Sequence, residues 1–294
     1  MQKSKGGIVL RRFLKNYYFE LLLITPLTLY IFGFTLLPIF RTILFSFQDH
    51  ITGEWGISEY AYLLGKREFI QAISNTVIVT LLELVLQLTL GLFIAMALKK
   101  NFKGKGIVRS LILMPMGVPT LVAGVALIYV FGTQGYLNEL LYKLGIINIP
   151  IVWTSGGPTS LLMVAIADSW KVLPVVVLLF LAGLESIPSD VYEASSIDGA
   201  NKWQTFFGVT LPLLKPTITM TILLRAVDSF RIFELPAVLI GRVTPFLATY
   251  AFDEYRTYNN TNASGAASTI LLICIIIFMF LYFKYVDKGE AFNG

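Results

Sequence analysis

Ionisable side chains lie inside the most apolar stretches of this chain, where each charge costs roughly 2.5–3.5 kcal/mol on insertion scales. Four of them recur every three residues through one apolar run: Arg225, Asp228, Arg231 and Glu234. This spacing predicts one broad helix face of alternating charge, which must contact protein or water rather than lipid. Asp168 and Lys171 are expected near the outer end of another run. Such donors and acceptors suit a hydroxyl-rich solute that has been stripped of water.

The residues that usually carry catalysis are scarce. His50 and Cys274 are the only histidine and cysteine, so the chain provides neither an internal disulfide nor a Cys/His metal cluster. The Gly104-Lys-Gly106 stretch lacks the Gly-x-x-x-x-Gly-Lys-Ser/Thr spacing of a phosphate-binding loop. The sequence therefore predicts a protein that is not an enzyme and that uses no cofactor or metal of its own.

Composition indicates a membrane environment. The 294 residues are 56% hydrophobic and 14% charged, with a mean hydropathy of +0.73, whereas soluble domains are about 25% charged. Because backbone groups in lipid must bond internally, the predicted fold is all-α. Six runs are long enough to cross roughly 30 Å of hydrocarbon: residues 21–40, 73–98, 107–131, 161–184, 217–240 and 266–286.

The distribution of Lys and Arg predicts the orientation. With the N-terminus in the cytoplasm, 14 of the 23 basic residues fall inside, six outside and three within the spans. This bias predicts a multi-pass protein of a bacterial or archaeal plasma membrane with both termini in the cytoplasm. It also accounts for the pI near 9.1 without a nucleic-acid partner, because the positive charge faces anionic lipid headgroups.

A polar segment at 188–216 interrupts the apolar pattern. Pro188-Ser-Asp190 predicts a helix start in which Ser and Asp cap the helix or complement its positive end. Gly199 should end that helix, because glycine adopts left-handed backbone angles at little cost. A second short helix is expected at about 201–209, and Leu211-Pro212 and Lys215-Pro216 should stop it and start the next span. From the residues alone, this helix–Gly–helix elbow is either an interfacial anchor or an element that inserts into a motor protein.

The elbow and its flanks resemble the permease subunits of ATP-binding-cassette importers. The spacing is that of the EAA loop: Glu193, Ala194, Asp198, Gly199, Ala200, Leu211 and Pro212. Further segments fit the carbohydrate-uptake branch, which contains the maltose and sn-glycerol-3-phosphate permeases: 168–174, 182–184, 187–188 and 228–231. The resemblance covers roughly residues 70–286. Two departures are Ser195, which replaces the usual third small residue, and 240–245, which replaces a glycine-rich stretch in the outer loop.

The resemblance implies a type I importer transmembrane fold, with a cytoplasmic helix–Gly–helix coupling element, and two sets of functional residues. The set expected to couple to an ATPase comprises Glu193, Ala194, Ser195, Asp198, Gly199 and Ala200. The set expected to border the sugar pathway near the midplane comprises Asp168, Leu224, Val227, Asp228 and Arg231. In these expectations Glu193 meets basic or polar groups of the ATPase, and Gly199 provides the bend.

By the same resemblance, the chain forms half of a pore in a binding-protein-dependent importer of a sugar or oligosaccharide. The implied partners are a second, different permease subunit, two ATP-binding-cassette ATPase subunits and an extracytoplasmic solute-binding protein. The expected organisation is a cytoplasmic tail at 1–20, a first span with its external loop at 21–69, the importer domain at 70–286 and a second tail at 287–294.

Other interpretations stay open on the residues alone. The runner-up is a proton-coupled secondary transporter of a polar solute, in which Asp228 and Glu83 carry protons. A structural scaffold is a third class, but it should have a dry interior, and the charged face argues against it. For Arg225 and Glu234, the alternative to a functional role is pairing within the helix, with the side chains extending toward the membrane faces.

Overall fold

The computed structural model describes the backbone of residues 5–287 and the side chains of 17–286, so most of the predicted 287–294 tail lies outside it. Within that range the chain folds into helices joined by loops, with one isolated antiparallel bridge between Gln48 and Trp55. Six helical stretches are long and apolar enough to cross a membrane: Tyr17–Ser46, Arg67–Lys99, Thr120–Lys143, Gly157–Glu185, Lys202–Leu239 and Thr261–Val286. The prediction of an all-α membrane fold with six spans is confirmed.

The α-helices of the described range are, in chain order, α1 Lys5–Tyr30, α2 Leu37–Ser46, α3 Ser58–Leu64, α4 Arg67–Lys99, α5 Lys105–Leu113, α6 Thr120–Phe131, α7 Tyr136–Lys143, α8 Gly157–Glu185, α9 Ser189–Ile197, α10 Lys202–Thr205, α11 Leu211–Phe230, α12 Glu234–Leu239, α13 Leu247–Arg256 and α14 Thr261–Tyr282. Shorter turns continue or link them, namely the π-helical turns Ile31–Leu36, Phe206–Thr210 and Phe283–Asp287 and the 3-10 turn Met114–Gly117.

The first span is a long helix on the outside of the bundle, made of α1, a π-helical turn and α2. None of its most apolar 18-residue window is buried, whereas half of the equivalent window is buried in the fourth span. Its α2 part packs on α14, where the Thr42 carbonyl oxygen lies 2.9 Å from the position that a Cβ on Gly265 would take. The rest of this span therefore presents its apolar surface outward.

Helices α4, α8 and α11 form the centre of the bundle. A Cβ on Gly91 of α4 would lie 2.6 Å from Val176 Cγ1 of α8. A Cβ on Gly183 of α8 would lie 2.5 Å from Thr217 Oγ1 of α11. Distances this short exclude a larger residue at either glycine unless the helices move apart. The three helices that carry most of the intramembrane ionisable residues are therefore tightly packed against one another.

The third span differs from the single helix predicted at 107–131, and that prediction is wrong. Helix α5 runs into a 3-10 turn, and α6 begins only at Thr120. Pro119 explains the break, because it lacks a backbone N–H and disfavours helical angles in the residue before it. Val118 accordingly has φ −84° and ψ 127°.

The fifth span is also broken, so its four ionisable residues do not share one helix face as predicted. Helix α11 ends at Phe230, Arg231 has φ −93° and ψ 13°, and Glu234 begins α12. Pro236 explains the break, because a continuous helix would bring its ring against the carbonyl group of Ile232. The alternating pattern therefore holds only as far as Arg231.

Short helices form a cap on the predicted outer side, and Lys66 ties this cap to the start of α4. Its Nζ donates to Glu254 Oε1 at 3.1 Å and to the Tyr62 hydroxyl. Glu254 is fully buried on α13. Burial alone lowers the pKa of Lys66, but the hydrogen bonds to Tyr62 and Glu254 and the attraction of the Glu254 charge outweigh it. The pKa of Lys66 is therefore raised above its usual range.

The Lys66–Glu254 pair should keep stability constant into alkaline solution. Because the folded pKa of Lys66 exceeds the ordinary value of 10.5, its contribution is complete below pH 10.5 and is lost only as pH rises through the folded value. Burial also raises the pKa of Tyr250 beside the pair, so this phenol keeps its proton over the same range. We expect the unfolding temperature of the detergent-solubilised protein to be level between neutral pH and 10.5 and to fall above that.

A pair of variants checks this assignment at neutral pH. Lys66→Met should lower the unfolding temperature, because it leaves the Glu254 carboxylate buried and unpaired. Adding Glu254→Gln should recover most of the loss. An unchanged unfolding temperature in Lys66→Met would show that the pair does not stabilise the cap.

Candidate functional site

The elbow predicted at 188–216 is present. Helix α9 begins at Ser189 and ends at Ile197, Gly199 has φ +75°, and α10 begins at Lys202. Glycine adopts this left-handed conformation without strain, and a Cβ at Gly199 would meet no atom within 4 Å. Backbone conformation, rather than lack of space, therefore favours glycine here, and the predicted bend is confirmed.

The capping of the elbow differs from the prediction. Ser189 and Asp190 form no side-chain cap of α9, because they already lie within its first turn, after the N-cap residue Pro188. Asp190 instead places a negative charge at the positive end of the helix, which agrees with the other predicted role. Helix α10 is capped instead by Asn201, whose side chain accepts from the backbone N–H of Gln204 at 3.0 Å. Gln204 Oε1 in turn accepts a hydrogen bond from the Asn201 backbone N–H at 2.8 Å, which completes a capping box.

The second half of the elbow continues directly into the fifth span. The π-helical turn Phe206–Thr210 joins α10 to α11 without a break. Pro212 occupies the first turn of α11, where a missing backbone N–H is tolerated. The predicted stop at Leu211-Pro212 and Lys215-Pro216 is therefore wrong, whereas α11 does begin at Leu211, where the next span was predicted to start. Helix α10, the π-helical turn and α11 thus follow one another without a break.

The outward surface of the elbow is formed by most of the predicted coupling residues. Ser195 is buried, and its Oγ lies 3.1 Å from Thr205 Oγ1, which joins α9 to α10. Ala200 is half-buried. Ile197 exposes 86% of its surface beside them, a large apolar side chain on an otherwise polar face. The remaining coupling residues are exposed: Glu193, Ala194, Asp198 and Gly199.

Arg225 is the centre of a buried polar cluster between α4, α8 and α11. Its Nε donates to Gln87 Oε1 at 2.9 Å, its Nη1 to Asp228 Oδ2 at 3.1 Å and its Nη2 to Asp168 Oδ2 at 3.4 Å. Only 7% of the Arg225 side chain is exposed, so the guanidinium does not extend toward a membrane face. Arg225 does pair within α11, with Asp228 three residues further on, as the alternative predicted. The predicted extension toward a membrane face is wrong, because acceptors on three helices stabilise the charge in place.

Asp228 and Arg231 continue the cluster into an exposed surface. Arg231 Nη2 donates to Asp228 Oδ1 at 2.8 Å, and about half of each side chain is exposed. Leu224 is exposed one turn earlier, and Val227 is half-buried between them. These four residues follow one side of α11, and Asp168 joins them through Arg225. All five residues predicted to border a pathway therefore lie around one part of the bundle.

An open cavity of about 420 Å³ extends from Arg231 toward α13 and α14. Three aromatic side chains line it together with the guanidinium: Phe233, Phe252 and Tyr255. Aromatic faces with a few polar groups are typical of sites for small polar ligands. The charged end of α11 therefore faces an open, mostly apolar recess.

Glu83 on α4 is fully buried beside the Arg225 cluster, yet neither of its carboxyl oxygens has a hydrogen-bond partner among the residues that the structure describes. The hydroxyl of Ser169 is likewise buried and unpartnered within that part of the chain, while the Ser229 hydroxyl lies close to the Glu83 carboxylate without forming a bond of good geometry. Each such group costs about 1–3 kcal/mol. This region therefore holds acceptors and donors that a different arrangement of the three helices, or a polar solute, can satisfy.

Lys171 links α8 to the broken third span. Its Nζ donates to the Val118 carbonyl oxygen at 2.7 Å, a group freed at the break before α6. Helix α8 begins at Gly157 rather than at residue 161. Asp168 and Lys171 therefore lie near its middle, and the prediction that they lie near its outer end is wrong. Lys171 thus holds the broken third span against α8.

Comparison with known families gives a match over most of the chain. Residues 87–291 match a family model described as a binding-protein-dependent transport system inner membrane component. The matched range includes Gln87 at its start, the whole elbow and the fifth and sixth spans.

Curated relatives align over nearly the full length. The chain is 32% identical over 274 residues to the trehalose/maltose transport system permease protein MalF of Thermococcus litoralis, covering 90% of this chain and 92% of the relative. It is 32% identical to the trehalose transport system permease protein SugA of Mycobacterium tuberculosis, covering 90% and 87%. It is 31% identical to the arabinooligosaccharides transport system permease protein AraP of Bacillus subtilis, covering 90% and 88%.

Solved structures share the fold. A chain of a bacterial alginate ABC transporter in complex with an alginate pentasaccharide-bound periplasmic protein superposes with a TM-score of 0.82, at 17% identity, covering 95% of this chain and 98% of that one. A chain of the MetNI methionine ABC transporter superposes with a TM-score of 0.54, at 16% identity, covering 78% and 95%. The fold is that of a type I importer transmembrane domain.

Proposed function

The chain belongs to the family of binding-protein-dependent transport system inner membrane components, and on that premise we propose that it is a permease subunit that imports a sugar or oligosaccharide. The observation that carries this proposal is the near-full-length similarity to permeases whose names specify trehalose, maltose and arabinooligosaccharides. ATP hydrolysis on separate subunits drives the transport, and alternating access follows from rigid-body rocking of the helices around a central site.

The solute pathway in this proposal follows α11 and reaches Asp168 through Arg225. Asp228 and Arg231 provide an exposed carboxylate and guanidinium for sugar hydroxyls, while Leu224 and Val227 form the apolar part of the wall. Support comes from the exposed ion pair and from the adjoining recess. Hydroxyl groups that lose water need such partners. Arg225 has a different role from the residues that contact the solute, because its hydrogen bonds hold Asp168 and Asp228 in position.

The ATPase-coupling surface in this proposal is the exposed side of the elbow. Glu193 and Asp198 provide charge, Ala194 and Ala200 permit close approach, and Gly199 provides the bend. Ser195 keeps α9 and α10 at a fixed angle through Thr205. The exposure of Glu193 and the apolar Ile197 supports docking of a partner at this surface.

The remaining parts of the proposal concern partners and orientation. A second, different permease subunit completes the pore, two ATPase subunits lie on the cytoplasmic side, and a solute-binding protein lies on the other. Both termini are cytoplasmic in a bacterial or archaeal plasma membrane. Support for the orientation comes from the bias of Lys and Arg along the sequence.

The test is uptake of radiolabelled maltose and trehalose by proteoliposomes that contain the complete importer and its binding protein. We expect uptake to require ATP inside the vesicles and to survive a protonophore. Uptake that collapses with the protonophore and persists without ATP would instead show a proton-coupled transporter.

In the same assay, Asp228→Ala and Arg231→Ala should each lower uptake about tenfold or more, because each removes a charge-assisted hydrogen bond to the solute. The amount of assembled complex should be unchanged, since both side chains are about half exposed. Glu139→Ala is the matched control, because Glu139 forms an exposed ion pair with Lys143 on α7, and no residue of α7 lines the recess. Normal uptake in both α11 variants would remove this pathway assignment.

A further inference from the structure

Lys99, the last residue of α4, joins three helices at the predicted cytoplasmic side. Its Nζ donates to the Leu184 carbonyl oxygen at 2.9 Å and to the Tyr192 hydroxyl at 3.1 Å. The ammonium also lies 4.2 Å from the centroid of the Tyr192 ring. Leu184 is at the end of α8, and Tyr192 is in α9 beside Glu193. One side chain therefore connects α4, α8 and the first helix of the elbow.

These contacts include a hydrogen bond to a backbone carbonyl group that has no partner within its own helix. The last carbonyl groups of an α-helix have no partner within it, and Leu184 is among those at the end of α8. The cation of Lys99 lies where the helix dipole is negative, which strengthens the contact. A cation over an aromatic ring adds attraction to Tyr192. The junction is thus held by one charge with three favourable contacts.

The same two membrane helices carry the polar cluster. Gln87 lies twelve residues before Lys99 on α4, about 18 Å along the helix axis, and it accepts the bond from Arg225 Nε. Asp168 on α8 accepts from Arg225 Nη2. A displacement of α9 that pulls on Lys99 and Leu184 therefore acts on both helices that hold Arg225.

We propose that Lys99 is a positioning residue that transmits the movement of the elbow to α4 and α8. This rests on the proposed function, in which a partner ATPase displaces α9. Helix α11 receives movement through its continuous helix with α10, and Lys99 provides the second route, into the other two helices of the central core. A residue that only caps α8 would stabilise the fold without affecting how much solute is moved for each ATP.

The experiment measures maltose or trehalose transported per ATP hydrolysed by the complete importer in proteoliposomes, together with its unfolding temperature. Lys99→Met removes the charge and keeps the apolar stem, while Lys99→Arg keeps a cation. Tyr192→Leu removes the ring and the hydroxyl. Lys100→Met is the matched control, because Lys100 is the next residue and is exposed.

We expect Lys99→Met and Tyr192→Leu to lower the transport-to-ATP ratio about fivefold or more, Lys99→Arg to recover most of it, and the control to be normal. Combining Lys99→Met with Tyr192→Leu should add little, since both break one link. A normal ratio with only a lower unfolding temperature would overturn the inference and leave Lys99 as a helix cap. Absence of ATP-dependent uptake in the unmodified importer would instead overturn the proposed function.

Discussion

Arg225→Met should destabilise the protein by about 3–5 kcal/mol, because it removes the cation from a buried cluster and leaves the Asp168 carboxylate without its charged partner. Only 14% of the Asp168 side chain is exposed, so water does not replace the lost contact. Gln87 loses the donor to its Oε1 as well. The measurement is chemical or thermal unfolding of the purified chain in detergent, with the yield of assembled importer as a second readout.

Arg231→Met is the matched control for this prediction. Arg231 also pairs with Asp228, but both of those side chains are about half exposed, and exposed pairs contribute roughly 0–1 kcal/mol. We therefore expect Arg231→Met to unfold almost like the unmodified chain. Equal destabilisation by the two substitutions would show that burial does not distinguish them and that Arg225 is not the centre of the cluster.

Gly199→Pro should lower sugar uptake about a hundredfold. Proline fixes φ near −65°, whereas Gly199 has φ +75°, so the elbow can keep its shape only at a cost of about 3 kcal/mol or more. This cost reduces the fraction of the protein whose elbow has the shape needed for docking, and coupling should fall in proportion to that fraction. Gly199→Ala should show a smaller loss, because a left-handed alanine costs roughly 1–2 kcal/mol. ATP turnover and uptake by the reconstituted importer measure the effect.

Gly104→Pro controls for the general effect of proline at a left-handed glycine. Gly104 has φ +85° and, like Gly199, open space where a Cβ would lie, but it lies before α5 and away from the elbow. Gly104→Pro should therefore lower uptake far less than Gly199→Pro.

The charge reversal Glu193→Lys should uncouple ATP turnover from uptake without removing the chain from the membrane. Normal transport in both elbow variants would contradict a coupling role.

The number of spans and the elbow could be predicted because each depends on local sequence. A run of about 20 apolar residues has few alternatives to a membrane helix. Gly199 lies within the polar segment that interrupts the apolar pattern, and its left-handed angle is a local preference that the structure retains.

The breaks in the third and fifth spans could not be predicted, because proline in a membrane helix is tolerated in some contexts and ends the helix in others. Pro26 and Pro174 lie inside continuous helices, whereas Pro119 follows a break that Lys171 stabilises from another helix. The deciding interaction is tertiary, so the proline alone does not reveal it.

The candidate site could also be predicted only in part from the sequence. Asp168 and Asp228 could be singled out because charge is costly in a membrane. The Arg225–Asp228 contact follows from their spacing on α11, but the bonds from Arg225 to Asp168 and Gln87 depend on how α4, α8 and α11 pack, which the spacing along one helix does not reveal. The role proposed for Lys99 could not be predicted either, because a lysine is common at the cytoplasmic end of a membrane helix.

The most direct test of the account is whether an ATPase subunit contacts the elbow in the assembled importer. A photo-crosslinking amino acid at Ile197, which is 86% exposed, should form an adduct with the ATPase subunit, whereas the same group at Ile149, 78% exposed on the predicted outer side, should not. An elbow that crosslinks to no ATPase in a transport-competent complex would contradict the central claim.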